Sequence, residues 1–217
     1  MERITEKPRL SKATTKRLSL YLRCLKGLEK NGVTRVKSSE LSKMTQVGSA
    51  TIRRDFSYFG ELGRSGYGYD VAYLLEVFGK ILNTSEKKYM ALIGCGNLGK
   101  ALLKNNFRRN DNLNIVAAFD TNPQVIDETI NHITIQSMEK LKETVKEKNI
   151  TVAISTVPSQ YSQAAVDEIV KSGITAILNF APEKLTVPKE VSMQYIDLTT
   201  ELLTLIYYDD VKTKPKK

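Results

Sequence analysis

Apolar residues recur near helical spacing from Thr14 to Glu29, where Leu18, Leu20, Tyr21, Leu22, Leu25 and Leu28 predict one amphipathic helix. Gly32 follows its basic last turn as a stop signal. A second, short helix is expected over Ser39 to Met44, capped by Ser38 or Ser39, with Leu41 and Met44 three apart on one face. After a turn from Thr45 to Gly48, Ser49 is placed to cap a third helix that runs to Phe59. On it Ile52, Phe56 and Phe59 fall at i, i+4 and i+7, so one face is buried and Ser49, Thr51, Arg53, Arg54 and Tyr58 stay outside. The glycine-rich run from Gly60 to Tyr69 alternates with aromatic residues and predicts a small β-hairpin, or wing.

Beyond this point the pattern changes to strands alternating with helices. Tyr89 to Ile93 is an apolar strand that feeds into Gly94-Cys95-Gly96-Asn97-Leu98-Gly99 and a helical stretch from Lys100 to Phe107. A strand over Ile115 to Phe119 ends in Asp120, and Val152 to Ser155 precedes a helix from Pro158 to Lys171. Ala176 to Phe180 and Met193 to Asp197 follow, the latter leading into a helix from Leu198 to Tyr208. The alternation gives the fold class: α/β, with an N-terminal winged helix-turn-helix domain over residues 1–84 and a Rossmann-type parallel-sheet domain over residues 85–211. Residues 212–217 form a basic tail without an apolar anchor after Val211 and are expected to be disordered.

Charge sharpens the division. The 217 residues carry a net +9, and residues 1–84 hold 16 Lys plus Arg against 8 Asp plus Glu, whereas residues 85–217 hold 17 against 16. A basic first third suits a nucleic-acid partner, with a basic three-helix interaction module as the alternative. Arginine can grip phosphates or read guanine edges, and the first residues of a recognition helix reach the bases, so Arg53 and Arg54 are the first candidates. Ser49, Ala50, Thr51 and Tyr58, with Arg64, Gly66 and Tyr67 of the wing, complete the candidate DNA surface. No apolar run approaches the roughly 18 residues that span a bilayer, and Met1 to Leu10 has no apolar core of a signal segment, so a cytoplasmic protein is expected. Cys24, Cys95 and the single His132 have no metal-ligand spacing, so free thiols and no metal are expected.

The second domain carries a dinucleotide fingerprint. Gly94 suits the tight turn, Gly96 the close approach of pyrophosphate and Gly99 the packing of helix on strand, and the helix N-terminus then faces the phosphates. Cys95, Asn97 and Leu98 fill the loop, Cys95 as a packing residue. Asp120 lies 21 residues after Gly99, where an acid accepts hydrogen bonds from the adenosine ribose; it can also cap a helix beginning near Pro123. Thr121 and Asn122 offer no cation for a 2′-phosphate, which favours NADH and NAD+ over their phosphorylated forms. Thr156, Val157 and Pro158, and Asn179, Phe180, Ala181 and Pro182, follow strand ends and are expected to line the nicotinamide side. No acid/base constellation of a dehydrogenase is visible, and His132 lies in a turn-like segment, so no catalytic residue is assigned.

Three stretches, Ser49-Ala50-Thr51-Ile52-Arg53-Arg54-Asp55-Phe56-Ser57-Tyr58-Phe59-Gly60, then Gly94-Cys95-Gly96-Asn97-Leu98-Gly99, then Asn179-Phe180-Ala181-Pro182, resemble the Rex family of redox-sensing repressors over nearly the whole chain. The resemblance implies a homodimer in which the helix from Leu198 to Tyr208 exchanges between subunits, bound to an inverted-repeat operator that controls fermentative or respiratory genes. It implies that NADH closes the dimer and releases DNA, while NAD+ competes and leaves DNA bound. It also implies an inter-subunit switch contact carried here by Arg23 and Asp197. Two positions depart from the family: Asn105 stands where a tyrosine is common, and Ser65 where the wing usually has a basic residue, a role Arg64 can take. The competing readings are an NAD-dependent oxidoreductase with a basic extension and a CoA-binding Rossmann module of the ligase type.

Overall fold

The computed structural model describes residues 10–64, 66–107, 110 and 112–213. Ser65 and residues 214–217 of the expected tail lie outside them. The chain divides into two compact units after Glu86.

The first unit begins with α1 (Lys12–Lys30), capped by Ser11, whose hydroxyl accepts from the Thr14 amide. A short strand β1 (Arg35–Val36) leads to α2 (Ser38–Thr45). Its start is fixed by Glu40, whose carboxylate accepts from the Lys37 amide at 2.7 Å, and not by a serine cap. Leu41 and Thr45 face inward while Met44 is 45% exposed, because i, i+4 rather than i, i+3 aligns with the core here. The third helix, α3 (Ser49–Ser57), is capped by Gly48, so Ser49 is its first helical residue, and Tyr58 already lies at its C-terminal cap. The wing strands β2 (Gly63–Arg64) and β3 (Gly68–Asp70) join β1 in a three-stranded sheet of order β1-β3-β2. Asp70 then caps α4 (Val71–Leu82) by accepting from the Tyr73 amide. Ile52 and Phe56 of α3 are buried with Leu18, Tyr21 and Leu25 of α1 and Leu74 and Phe78 of α4. The Phe56 ring makes edge contacts with Tyr21, Tyr69 and Phe78 at centroid distances of 4.8–5.5 Å, fixing α3 to α1, the wing and α4 at once.

The second unit is a seven-stranded sheet built from β4 (Lys88–Ile93), β5 (Leu113–Asp120), β6 (Thr129–Ile130), β7 (Ile133–Ser137), β8 (Val152–Ser155), β9 (Ala176–Asn179) and β10 (Ser192–Tyr195). The order is β10-β9-β8-β4-β5-β7-β6, parallel except for the antiparallel edge strand β6. Its helices are α5 (Asn97–Asn105), α6 (Leu141–Glu147), α7 (Ser159–Lys171) and α8 (Leu198–Thr213). Ala91, Ile93, Ala153 and Ile177 face one core and Met90, Leu92 and Ile154 the other. Burial on both faces explains why these strands read as continuous apolar runs.

Several expected boundaries move. Helix α5 stops at Asn105, because Asn106 and Phe107 take positive φ and the Asn106 amide side chain pairs with both backbone groups of Ile115. No helix starts near Pro123: residues 123–127 form turns. Helix α8 reaches Thr213, past Tyr208, because nothing before Pro215 excludes helix.

Candidate functional sites

In the first unit the outer side of α3 is clear of obstruction. Ala50, Thr51, Arg53, Arg54 and Tyr58 are exposed and Ser49 is half-buried; in the wing Arg64, Gly66 and Tyr67 are exposed. No side chain caps the N-terminus of α3 and no acid stands in its first turn, so its amide donors face outward. The one acid of the helix, Asp55, turns inward and is 1% exposed. Both its oxygens accept from Arg17 at 2.6 Å, and Oδ2 also accepts from the Tyr21 hydroxyl at 2.8 Å. Burial alone would raise the Asp55 pKa, but these hydrogen bonds and the Arg17 charge outweigh it and hold the carboxyl below the usual range. The Tyr21 hydroxyl is pushed up by burial and by its bond to Asp55. The result is a helix with no negative charge on its outer face. Arg53 reaches Ser38 Oγ at 3.4 Å, which adds the start of α2 to this surface. Arg35, which no sequence pattern marks, joins Arg64 in lining a hollow in the wing.

In the second unit a cavity of about 730 Å³ opens at the carboxyl ends of β4, β5 and β8. Strand order reverses at β4, with β5 on one side and β8 on the other, the place where open α/β sheets bind ligands. Gly94 turns the chain with φ +88°. Gly99 packs under it: a Cβ there would collide with the Gly94 carbonyl and lie 3.0 Å from Thr156 Oγ1. Thr156 Oγ1 itself donates to the Gly94 carbonyl at 2.6 Å, joining the loop to the end of β8. At Gly96 nothing lies within 4 Å of a Cβ, so the backbone is open to a ligand. Helix α5 has no side-chain cap and no acid in its first turn, which leaves its amide donors for an anion. Asp120 Oδ2 accepts from the Cys95 amide at 2.5 Å and Oδ1 from the Asn122 amide at 2.8 Å. A carboxylate has about four lone-pair sites, so acceptor capacity remains for ribose hydroxyls.

Gly94, Gly96, Asn97, Leu98, Asp120, Thr156, Val157 and Pro158 all line this cavity. Other expected positions do not. Cys95 is fully buried, its thiol directed at the Phe119 carbonyl and pushed up to about 12 by burial and by Asp120. Asn179 is also fully buried and donates to the Ala181 carbonyl, Ala181 is 4% exposed, and Phe180 packs into the core beside β9. These residues shape the strand end and do not wall the cavity. Met138, Tyr161, Ala164, Ala165 and Glu168 do wall it, and spacing alone gave no sign of them. Among the described residues its charged walls are the acids Asp120 and Glu168. Arg23 is exposed on α1, and Asp197 accepts from the amides of Thr199 and Thr200 and from the Thr200 hydroxyl. Those bonds, the Thr200 hydroxyl first, lower its pKa. His132 sits with Asn131 in the positive-φ turn between β6 and β7. Among the described residues no group of three His, Cys, Asp or Glu is placed to hold a metal ion, and no helix is long and apolar enough to cross a membrane.

Comparison with known proteins agrees with this geometry. Residues 85–183 match the CoA binding domain family and residues 9–57 the putative DNA-binding protein N-terminus family. The redox-sensing transcriptional repressor Rex 2 of Enterococcus faecalis is 63% identical over 93% of this chain and 94% of its own. The redox-sensing transcriptional repressor Rex of Latilactobacillus sakei is 49% identical over 95% of this chain and 99% of its own. The crystal structure of RSP in complex with β-NAD+ and operator DNA superposes with a TM-score of 0.86 at 33% identity, covering 95% of both chains. RSP in complex with β-NADH gives 0.84 at 32% identity, covering 95% of this chain and 97% of that one.

Proposed function

Because the chain belongs to the Rex family of redox-sensing transcriptional repressors, which are not enzymes, we propose that it binds operator DNA through α3 and the wing and releases it on closing around NADH. The observation that carries this reading is the pairing, in one chain, of a basic helix surface without an outward acid with a dinucleotide cavity whose charged walls among the described residues are both acids. Among the described lining residues the charged groups a 2′-phosphate would meet are Asp120 and Glu168, which supports NAD(H).

The residues divide the work. The first turn of α5 and the open backbone at Gly96 hold the pyrophosphate, and Asp120 accepts from the adenosine ribose. Thr156, Val157 and Pro158 wall the nicotinamide side. A neutral dihydronicotinamide enters an apolar wall at little cost, whereas the charged ring of NAD+ resists desolvation. Only differential affinity moves a conformational equilibrium: a swing from 99:1 to 1:99 requires about 10⁴-fold tighter binding to the closed form.

The proposed assembly is a homodimer in the cytoplasm that meets an inverted-repeat operator. Helix α8 supports it: Leu198, Leu202, Leu203, Leu205, Ile206, Tyr207, Tyr208 and Val211 are each more than half exposed and distributed all around the helix. A helix that is apolar all round is stable only when covered on several sides, which exchange into the partner subunit provides. Asp197, at the start of α8, would then be carried toward Arg23 of the partner subunit.

The test is binding of the purified protein to an inverted-repeat duplex selected from random DNA, at fixed salt, with NADH, NAD+ or neither. Specific binding released by NADH and spared by NAD+ is the expected result. Failure to select any duplex overturns the repressor reading, and release by both dinucleotides alike overturns the redox sensing.

A further inference from the structure

Strand register sorts the wing into two faces. Val36 pairs with Tyr69 and Tyr69 with Gly63, while Arg35 pairs with Asp70 and Gly68 with Arg64. Directly paired residues share a face, and neighbours along a strand alternate. The inner face is the one on which Val36 is buried and the Tyr69 ring meets Phe56. Arg35, Arg64, Gly68 and Asp70 therefore share the outer face. Lys37 lies on that face too, with its Cγ 3.4 Å from where a Gly68 Cβ would be.

The middle of this face is bare because position 68 cannot carry a side chain. Gly68 has φ +77°, and a Cβ there would lie 2.7 Å from the Val36 carbonyl oxygen. A hollow of about 440 Å³ lies beside it, with Arg35, Arg64 and Asp70 among its lining residues. Its one acid is engaged, since Asp70 Oδ1 accepts from the Tyr73 amide at 2.9 Å to cap α4. Neither arginine forms an ion pair among the described residues; Arg35 makes only a long 3.5 Å bond to the Tyr67 carbonyl. Two exposed guanidinium groups thus flank the hollow, neither of them ion-paired among the described residues, while the Asp70 carboxylate beside them is held to the start of α4.

We propose that this outer face is a phosphate clasp, in which Arg35 and Arg64, from opposite edges of the wing, hold a single backbone phosphate of bound DNA. The two strands carrying them are separated by β3, so their backbones stand roughly 10 Å apart, twice the strand spacing. Two extended side chains close on one phosphate across that gap. A phosphate contact positions the protein and carries no sequence information, so the clasp sets affinity and not choice of operator. The inference rests on the DNA-binding reading above and assigns Arg35 a role that the recognition-helix pattern does not.

The test uses the full chain, the operator duplex and an unrelated duplex, each titrated at several salt concentrations, for wild type, Arg35→Ala, Arg64→Ala and the double variant. Arg35→Ala is expected to weaken both duplexes by a similar factor, about tenfold, and to flatten the salt dependence by about two units of slope, one for each wing of the dimer. The double variant is expected to flatten it by about two and not four, because one phosphate is shared in each wing of the dimer. Arg35→Lys, which keeps charge but loses the planar fork, should keep the slope with part of the affinity lost. NADH affinity and melting temperature serve as folding controls. Wild-type slope and affinity in Arg35→Ala would overturn the proposal, as would a loss confined to the operator or a double variant that loses about four units. A wild type that binds neither duplex would instead refute the DNA-binding reading itself.

Discussion

Replacing Tyr21 by Phe removes one hydroxyl and nothing else from the core of the DNA-binding unit. The hydroxyl donates to Asp55 Oδ2 at 2.8 Å, while Arg17 keeps its two 2.6 Å bonds to the same carboxylate. The ring is retained, so no cavity opens, and its edge contact with Phe56 survives. A hydrogen bond to a charged group contributes about 1.5–3 kcal/mol. For a unit of this size each kcal/mol moves the melting temperature by about 4–8 °C, so a fall of roughly 8–16 °C is expected for a loss of about 2 kcal/mol. The pH dependence gives the stricter check. Asp55 has a folded pKa below its ordinary value. Its contribution is therefore complete above the unfolded value of about 3.9 and is lost as pH falls through the folded one. Tyr21→Phe removes one of the bonds that lower that pKa, so the variant's folded pKa rises. The gap between wild type and variant should stay constant from pH 7 to about 5 and close below about 4. Urea unfolding of the full chain, followed by near-ultraviolet circular dichroism, measures it. A gap that persists unchanged at pH 3, or one under about 0.5 kcal/mol at pH 7, would refute the hydroxyl–carboxylate bond as the source of the stability.

The cavity and the C-terminal helix yield three further expectations. Asp120→Ala should weaken NADH by about 10- to 150-fold, the equivalent of one charge-assisted bond, and should narrow the preference for NADH over NADPH; unchanged affinity in a fluorescence titration would exclude the ribose contact. Thiol reagents at pH 8 should modify half-buried Cys24 before Cys95, whose buried thiol has its pKa pushed up to about 12; mass spectrometry after partial alkylation would show the reverse order if the loop opened readily. Deletion of residues 198–217 should convert a dimer to a monomer in light scattering, and a truncated chain that stays dimeric would remove α8 from the interface.

What the sequence made legible is what depends on a residue's own backbone or near neighbours. The glycine loop could be read because Gly94 needs positive φ and Gly99 cannot tolerate a Cβ, and the recognition helix because Ile52 and Phe56 repeat at its period. Strand β1 has two residues, too few to show alternation, and becomes a strand only by pairing with β3. Helix α4 did leave a signal, Asp70 before Val71, Leu74 and Phe78, hidden by its direct continuation from the wing. The position of Asn179 at a strand end predicts a side chain on the ligand side. Its side chain instead belongs to a buried position paired with Ser155 in the sheet and folds back to Ala181.

Asp55 shows why the remainder stays hidden. It stands in the chain beside Arg53 and Arg54, and an acid on a helix that meets DNA is a contradiction if every polar residue is assumed to point outward. Its position four residues from Thr51 and three from Ile52 leaves it at the margin of the apolar stripe, where periodicity alone does not decide the direction. The residue that decides is Arg17, 38 positions earlier, which supplies the opposite charge and both donors. A buried carboxylate left unpaired would cost several kcal/mol, so Asp55 can turn inward only because α1 brings Arg17 and Tyr21 to it. The same pairing leaves the outer face of α3 with its two arginines and no acid, so the contact that secures the helix also sets the charge of the face proposed to meet DNA.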